Sequence, residues 1–256
     1  RGLGDVYKRQ PPDISKGSDG ADDPQSWDEA YNSKGPETKI PGRSEQLSNN
    51  PDGLKKGTGS SQSFNVVEAE GDDLAHSDGK TAQKAVELLH KYKDMEKPFF
   101  LAVGFVRPHV PLVAPKKYFT PYPLGKMALP PKITGDQDDI PENPANRRTT
   151  ANYQMDLNQQ KGTLRAYYAS VSFVDVLVGK ILTALEKTGQ RDNTIVIFTS
   201  DHGYHLGEHD LWQKVSIHEE SAKVPLIISV PGKKPAVCHS LSELIDLYPT
   251  VSRLCD

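Results

Sequence analysis

The stretch that decides the fold is "NTIVIFTSDHGYHLGEH", residues 193–209. Its apolar and β-branched run from Ile195 to Thr199 is typical of a short strand buried on both faces. Polar residues follow at once, because Asp201 and His202 stand just past the end of that strand. In open α/β sheets, ligands bind beyond the carboxyl ends of the strands. Asp201 and His202 are therefore the first candidates for a functional site.

Upstream of this strand, a helix pattern is followed directly by a second strand pattern. "SDGKTAQKAVELLHKYKDM" (77–95) offers Ser77 or Asp78 as a helix cap, and "FFLAVGF" (99–105) is a continuous apolar run. We expect the run at 99–105 to be a strand buried on both faces. The apolar face of the predicted helix consists of Ala85, Leu88, Leu89 and Tyr92.

The same alternation continues through the rest of the chain. A long helix precedes residue 193, with a stop at Gly189. Its predicted apolar stripe, which should lie on a sheet, comprises Tyr167, Val171, Val174, Val178, Ile181 and Leu185. "KVPLIISVPG" (223–232) predicts another strand and "SLSELIDLYPTVSRLC" (240–255) a helix. This order predicts an α/β fold with a mostly parallel sheet flanked by helices.

Two long polar segments interrupt the pattern. Residues 11–73 are rich in Pro, Gly, Ser, Asp and Lys and show no period, so we expect an irregular region anchored by Trp27 and Tyr31. Residues 111–150 are Pro-rich and too long for a plain connector. Both loops are expected to shape the rim of a pocket.

Composition excludes several classes of partner. The chain has 256 residues and a formal net charge of -3, without the basic stripe that nucleic acid or an anionic membrane surface would require. No apolar run approaches the roughly 18 residues of a membrane span. Cys238 and Cys255 lack Cys-x-x-Cys spacing, which excludes a cysteine zinc cluster. We therefore expect neither a nucleic-acid nor a membrane partner.

A second set of polar residues follows the run at 99–105. Arg107, Pro108 and His109 come directly after it, in the position that Asp201 and His202 hold after the other strand. The two strand ends would thus present an aspartate, two histidines and an arginine to one possible site.

Several chemistries compete for these residues. His202, His205 and His209 are spaced by three and four, as zinc ligands on a helix would be, but Gly203 and Gly207 argue against that helix. Asp201 is a hard oxygen donor suited to calcium or magnesium, although one aspartate needs partners from elsewhere. The sequence contains no Gly-x-Ser-x-Gly nucleophile elbow and no phosphate-binding glycine loop.

Five motifs in order resemble one known family. They are "KPFFLAVGFVRPHVPLVAPKKYF", "YYASVSFVDVLVGKILTAL", "IVIFTSDHGYHLGEHDLWQK", "VPLIISVPG" and "ELIDLYPTVSRL". Together they resemble the sulfatases of the alkaline-phosphatase-like superfamily, most closely the iduronate-2-sulfatase type. The resemblance implies an unrelated or non-native leader at 1–10, an irregular polar region of the sulfatase domain at 11–75, and the C-terminal part of the catalytic domain at 76–256.

The resemblance also implies roles for individual residues. Asp201 and His202 would be two ligands of a calcium ion, while His109 and Lys214 would bind the sulfate group and assist catalysis. The expected substrate contacts are Tyr204, Arg107 and His209. Sulfuryl transfer spreads negative charge over equatorial oxygens, so a dication, a lysine and a histidine that converge there would lower the barrier.

One departure from the family pattern concerns the nucleophile. The family uses a formylglycine made from a Cys/Ser-x-Pro-x-Arg motif, which neither Cys238 nor Cys255 fits. The family's paired metal-binding aspartates are also missing, since Asp22 and Asp23 lie in a polar loop. We therefore expect a partial chain, incomplete at both ends and inactive alone.

The leading hypothesis is a sulfuric ester hydrolase acting on sulfated carbohydrate. One alternative is a phosphodiesterase or phosphonate hydrolase of the same superfamily, and another is a non-catalytic binding paralogue. The resemblance implies an extracytoplasmic location: periplasmic, secreted or lysosomal.

Overall fold

The computed structural model describes residues 25–50, 64–138, 140, 149–214 and 216–255. The predicted leader at 1–10 and parts of both polar loops, 11–24, 51–63 and 141–148, lie outside the described residues. Trp27 stacks on Phe100 with ring centroids 5.9 Å apart, and Lys84 lies over the ring of Tyr31 at 5.6 Å. Both predicted anchors of the first polar region therefore hold it against the rest of the chain.

A three-stranded sheet forms the first layer, in the order β1–β2–β3. Strand β1 (Gly42–Gln46) pairs antiparallel with β2 (Asn65–Ala69), which pairs parallel with β3 (Leu112–Pro115). The first two strands lie in the segment that we predicted to be irregular. The sequence "GRSEQ" of β1 is exposed throughout, so it shows no apolar period that sequence reasoning could detect.

Helix α1 (Ser77–Tyr92) connects β2 to β3 and packs on the core with the predicted face. The cap differs from the prediction: His76 occupies the cap position and makes no side-chain cap hydrogen bond. The hydroxyl of Ser77 instead donates to Glu37 Oε1 at 3.0 Å. The carboxylate of Asp78 accepts from the backbone N–H groups of residues 106 and 107, at 2.9 Å each.

The apolar run at 99–105 does not form the predicted strand. Its residues are partly buried, except Phe100, which is 53% exposed, and a single bridge at Ala102 is its only strand-like residue. Phe99 and Leu101 pack with Leu89 and Leu185 in a small cluster. A strand requires a hydrogen-bonded neighbour, and no named strand pairs with this run within the described ranges.

After a short helix α2 (Thr150–Tyr153), the long helix α3 (Leu157–Lys187) begins with a capping box between Asp156 and Gln159. The buried face of α3 is rotated from the predicted stripe: Val171 is exposed, whereas Phe173 and Leu177 are fully buried. The buried face includes small residues that were not part of the predicted stripe, namely Ala166, Ala169 and Ser170. The helix ends as predicted, with Gly189 at φ 73° just after its C-cap Thr188.

Helix α3 is also long and apolar enough to span a membrane by length and composition. Its inward face is packed in the main core cluster, with Phe173 against the rings of His76 and Tyr118. A core helix of this kind passes the same test, so the helix is weak support for a membrane span.

The second half contains two small antiparallel sheets. Strand β4 (Val196–Thr199) pairs with β7 (Leu226–Ser229), and β5 (His205–Leu206) pairs with β6 (Trp212–Gln213). Helix α4 (Glu219–Ala222) precedes β7, and α5 (Leu247–Cys255) follows it with no buried residue. Helices and sheets alternate as an α/β fold requires. However, only the β2–β3 pairing is parallel in the described part of the chain, and β4 and β7 are partly exposed rather than buried on both faces.

Candidate active site

Asp201 and His202 follow β4 directly and converge. Their side chains are 48% and 31% exposed, with His202 Nε2 3.6 Å from Asp201 Oδ2. The other ring nitrogen, His202 Nδ1, lies 2.8 Å from the carbonyl oxygen of Gly203. Because a carbonyl can only accept, Nδ1 carries the proton, and in the neutral ring Nε2 keeps its lone pair. A carboxylate oxygen and an imidazole lone pair thus face the same region, as two ligands of one cation would.

Gly203 lets α4 approach this turn. Its N–H donates to the carbonyl oxygen of Ser221 at 2.8 Å. A Cβ at position 203 would lie 2.1 Å from the carbonyl oxygen of Glu220, which no packing tolerates. The glycine is therefore required for the contact that fixes the turn after β4.

Tyr204 lies against helix α3. Its ring is tilted by 31° against the ring of Tyr167, with centroids 5.1 Å apart. Burial raises the pKa of Tyr167 to about 12, so that phenol stays neutral. This packing positions Tyr204 at the edge of the core, next to the Asp201–His202 turn.

Lys214 directly follows the β5–β6 hairpin. Trp212 in β6 is fully buried, and its indole N–H donates to Thr150 Oγ1 at 2.9 Å. This anchor fixes the register of the two residues that follow it. Lys214 itself is partly exposed.

The loop between β5 and β6 has an unusual backbone. His209 and Asp210 are non-glycine residues with φ of 56° and 58°, and Gln213 in β6 has φ of 70°. Such left-handed positions cost free energy and cluster at functional sites. Three contacts from the 131–138 segment hold this loop: Lys132 to Asp210 Oδ1 at 3.0 Å, the Gln137 amide to the carbonyl oxygen of His209 at 2.9 Å, and Asp136 to the His209 ring.

His209 has partners on both ring nitrogens. Nδ1 lies 2.8 Å from Asp136 Oδ2, and Nε2 lies 3.3 Å from Glu220 Oε2. Burial alone would lower the pKa of His209, but the hydrogen bond and charge of Asp136, with the charge of Glu220, raise it above its ordinary value. Both ring nitrogens therefore face a carboxylate when no ligand is bound. The substrate contact of His209 stays a prediction.

His218 and Glu220 lie around His209, and sequence reasoning did not predict this grouping. One nitrogen or oxygen of each of the three residues lies within 4.8 Å of the others, so the group could hold a metal ion. The pairing between positions 136 and 209 spans 73 residues, which no local motif reveals.

Arg107 lies in the interior. Its guanidinium forms a buried ion pair with Glu37, and its Nε donates to the carbonyl oxygen of Val113 at 2.9 Å. Burial lowers its pKa to about 10, where it remains charged at neutral pH. Its remaining donor, Nη1, binds the carbonyl oxygen of His109 at 3.2 Å, so the guanidinium joins Glu37, the loop that carries His109 and β3. The substrate contact of Arg107 stays a prediction.

His109 lies at the other end of that loop and is partly buried. Its Nδ1 is 2.6 Å from the carbonyl oxygen of Val110, so Nδ1 donates and Nε2 is the nitrogen that can act on a ligand. Phe105 and Val110 pack on the same core cluster as Tyr167 and Leu206. The loop that carries His109 and the segment that follows β4 therefore share one core against α3.

Comparisons with known proteins identify the fold and the family. A phosphonate monoester hydrolase from Silicibacter pomeroyi has a TM-score of 0.65 with this chain at 25% identity, covering 82% of this chain and 43% of its own. The fold and the site thus define a protein of the alkaline-phosphatase-like class, and the predicted fold class is confirmed. The family model described as Sulfatase matches residues 14–256. The chain belongs to the sulfatase family.

Two curated relatives are of particular interest. A sulfatase of Formosa agariphila is 38% identical over 171 residues, which cover 63% of this chain and 33% of that protein. Human iduronate 2-sulfatase is 34% identical over 203 residues, which cover 70% of this chain and 36% of that protein. The chain spans about a third of the length of these relatives.

Proposed function

We propose that this chain is part of a sulfuric ester hydrolase that acts on sulfated carbohydrate, as the iduronate-2-sulfatase type does. The observation that carries the proposal is the convergence of the Asp201 carboxylate and the His202 lone pair behind β4, in a chain of the sulfatase family. On the basis of the net charge of -3, we propose neither nucleic acid nor a membrane surface as a partner. The proposed location is extracytoplasmic.

The proposed metal is one calcium ion held in part by Asp201 and His202. The carboxylate supplies a hard oxygen ligand, and the protonated Nδ1 of His202 orients Nε2 as a further ligand. Calcium takes about six to eight ligands, so these two residues fit one side of its shell. When bound, the ion would supply positive charge against the sulfate oxygens.

His109 and Lys214 have separate proposed roles. The ammonium of Lys214 would contact a sulfate oxygen and stabilise charge that grows on the transferring group. The Nε2 nitrogen of His109 would hold the ester and assist the leaving oxygen. The buried Trp212 anchors the strand that precedes Lys214, and the carbonyl oxygen of Val110 orients the ring of His109. Preorganised donors lower the barrier because they need not reorient during the reaction.

The proposed nucleophile is a formylglycine outside this chain. Cys238 and Cys255 are both exposed free thiols, and neither lies in a Cys-x-Pro-x-Arg sequence. We therefore expect the 256-residue chain alone to show no turnover of sulfate esters.

The experiment uses a protein that contains both the present sequence and the formylglycine. Asp201→Ala is expected to abolish calcium binding and sulfatase activity. Lys214→Ala is expected to lower kcat by about a hundredfold or more, the effect of removing one preorganised donor. Calcium binding is measured by calorimetry and activity with an aryl sulfate. Lys187→Ala, at the exposed end of α3, is the control and should match the wild type. Near-normal rates in both site variants would reject the assignment.

A second candidate is phosphonate or phosphate diester hydrolysis, which the similarity to the Silicibacter pomeroyi enzyme favours. Rates on an aryl phosphonate measured beside the aryl sulfate separate the two. A clear preference for the phosphonate would favour this second candidate. Absence of both activities in a protein that contains formylglycine would favour a non-catalytic paralogue.

A further inference from the structure

His209, His218 and Glu220, here called the histidine–glutamate cluster, use neither Asp201 nor His202. His209 Nε2 and Glu220 Oε2 are 3.3 Å apart. Two ligands of a tetrahedral zinc ion at bond lengths of about 2.0–2.1 Å lie roughly 3.3 Å from each other. This pair is therefore already at the spacing that zinc coordination requires.

The second observation is the orientation of these two groups. Asp136 holds His209 through Nδ1 at 2.8 Å, so a neutral ring directs the Nε2 lone pair toward Glu220. A carboxylate on the far nitrogen is the usual companion of a zinc-binding histidine. Glu220 Oε2 is buried and has no hydrogen bond of acceptable geometry from any described residue, although His209 Nε2 lies 3.3 Å away as an ion-pair partner. A buried carboxylate oxygen favours a cation beside it.

His218 can complete the set. It directly precedes α4, which carries Glu220, and its ring stacks on His209 with centroids 4.3 Å apart and planes inclined by 24°. Neither of its ring nitrogens hydrogen-bonds to a described residue, so a ring rotation can bring one of them to the ion. His205 lies 5.7 Å from the His218 ring between centroids. It is 1% exposed, and its Nδ1 has no partner in the described part of the chain.

We propose that the histidine–glutamate cluster binds a zinc ion through His209, His218 and Glu220, with Asp136 orienting His209. Two imidazoles among three ligands suit zinc, whereas calcium takes mainly oxygen ligands. The cluster is partly exposed, so water takes the fourth position. The ion links the strained loop after β5 to α4, which packs directly on the Asp201–His202 turn through Gly203. This inference stands without the proposed sulfatase function.

The test uses the 256-residue chain after removal of metals with EDTA and dialysis. Zinc chloride alone is titrated by calorimetry, and cobalt(II) replaces zinc for absorption spectroscopy. The wild type is expected to bind one equivalent of zinc, and the cobalt form to show the intense visible bands of a tetrahedral site. His218→Ala and Glu220→Gln should each weaken zinc binding by about tenfold or more, with unchanged far-ultraviolet circular dichroism.

Two further variants control the experiment. His90→Ala removes an exposed histidine of α1 and should bind zinc as the wild type does. Asp201→Ala should also retain zinc. If His218→Ala disturbs the circular dichroism, His218→Asn takes its place with the same expectation. The proposal is overturned if no zinc binds, if the cluster variants match the wild type, or if Asp201→Ala alone loses zinc, which would place the ion at the proposed calcium ligands.

Discussion

At the residue scale, His76 makes the stability of the fold depend on pH. It is buried, stacks edge-on against Phe173, and its Nε2 has no hydrogen-bond partner among the described residues. Burial lowers its pKa from 6.5 to about 4, although Asp73 opposes the shift. Between these values the unfolded chain takes a proton that the folded chain refuses. The stability that neutral His76 contributes is therefore complete above pH 6.5 and is lost as the pH falls toward 4.

Asp78, two positions along the chain, has the opposite effect. It is fully buried, and burial raises its pKa from 3.8 to about 6, against the two hydrogen bonds from the N–H groups of Val106 and Arg107. Here the folded chain holds a proton that the unfolded chain releases. Its contribution is complete below pH 3.8 and is lost as the pH rises through 6. The two residues therefore oppose each other between pH 4 and 6.

Single substitutions should separate the effects of His76 and Asp78 on how the free energy of unfolding changes with pH. For His76→Asn, we expect the free energy of unfolding to fall as the pH rises from 4 to 6, relative to the wild type. For Asp78→Asn, we expect it to rise over the same range. Urea denaturation at several pH values measures both slopes, with His90→Asn on the exposed side of α1 as the control. Parallel slopes in all four proteins would show that neither buried group titrates as described.

At the element scale, two helical glycines should respond oppositely to the same substitution. Gly79, in the first turn of α1, is buried, and a Cβ there would lie 1.8 Å from the carbonyl oxygen of Asp73. Gly79→Ala should therefore destabilise the protein by about 2 kcal/mol or more, because backbone must move to admit the methyl group. Gly179 in α3 has open space within 4 Å. Gly179→Ala should stabilise by up to about 1 kcal/mol, because alanine is the better helix former.

Thermal or urea denaturation measures the change in the free energy of unfolding of each variant, which reports close packing at position 79 and helix propensity at position 179. Equal effects at the two positions would mean that the approach of residues 73 and 79 is not rigid in solution.

Elements could be predicted from the sequence where local pattern decides them. The inward face of α1 was correct because its apolar residues repeat at helical spacing. The cap of α1 was wrong because Ser77 and Asp78 bond to Glu37 and to the loop that precedes β3, partners that only the tertiary fold supplies. The strand predicted at 99–105 was wrong for a similar reason, because apolar composition does not show whether another strand lies beside the run.

At the scale of the whole molecule, sequence reasoning could find some residues of the candidate site and could not find others. Asp201 and His202 could be found from sequence because both ligand atoms come from one turn after one strand. The histidine–glutamate cluster could not, because Asp136 reaches His209 from a separate loop. Arg107 has the residue type and position of a substrate ligand, but its buried ion pair with Glu37 could not be predicted from the sequence, because the two residues are 70 positions apart.

The whole molecule also presents an apolar face on its second half. Phe198 in β4 and Ile227 in β7 are register partners, so their side chains share one face of this two-stranded sheet. They are 40% and 60% exposed. In the described part of the chain, β4 and β7 pair only with each other, which leaves an open edge on each strand. Exposed apolar faces and open edges both promote association.

We therefore expect the 256-residue chain to self-associate as its concentration rises. Ile227→Lys should shift the association to at least about tenfold higher concentration, because a charge on the shared face must be desolvated on contact. Val237→Lys makes the same change at a residue that is 80% exposed but outside β4 and β7, and it should behave as the wild type does. Sedimentation velocity over a concentration series measures the shift. An equal effect of both lysines would mean that net charge, rather than the β4–β7 face, controls association, since each substitution adds the same charge and only one adds it to that face.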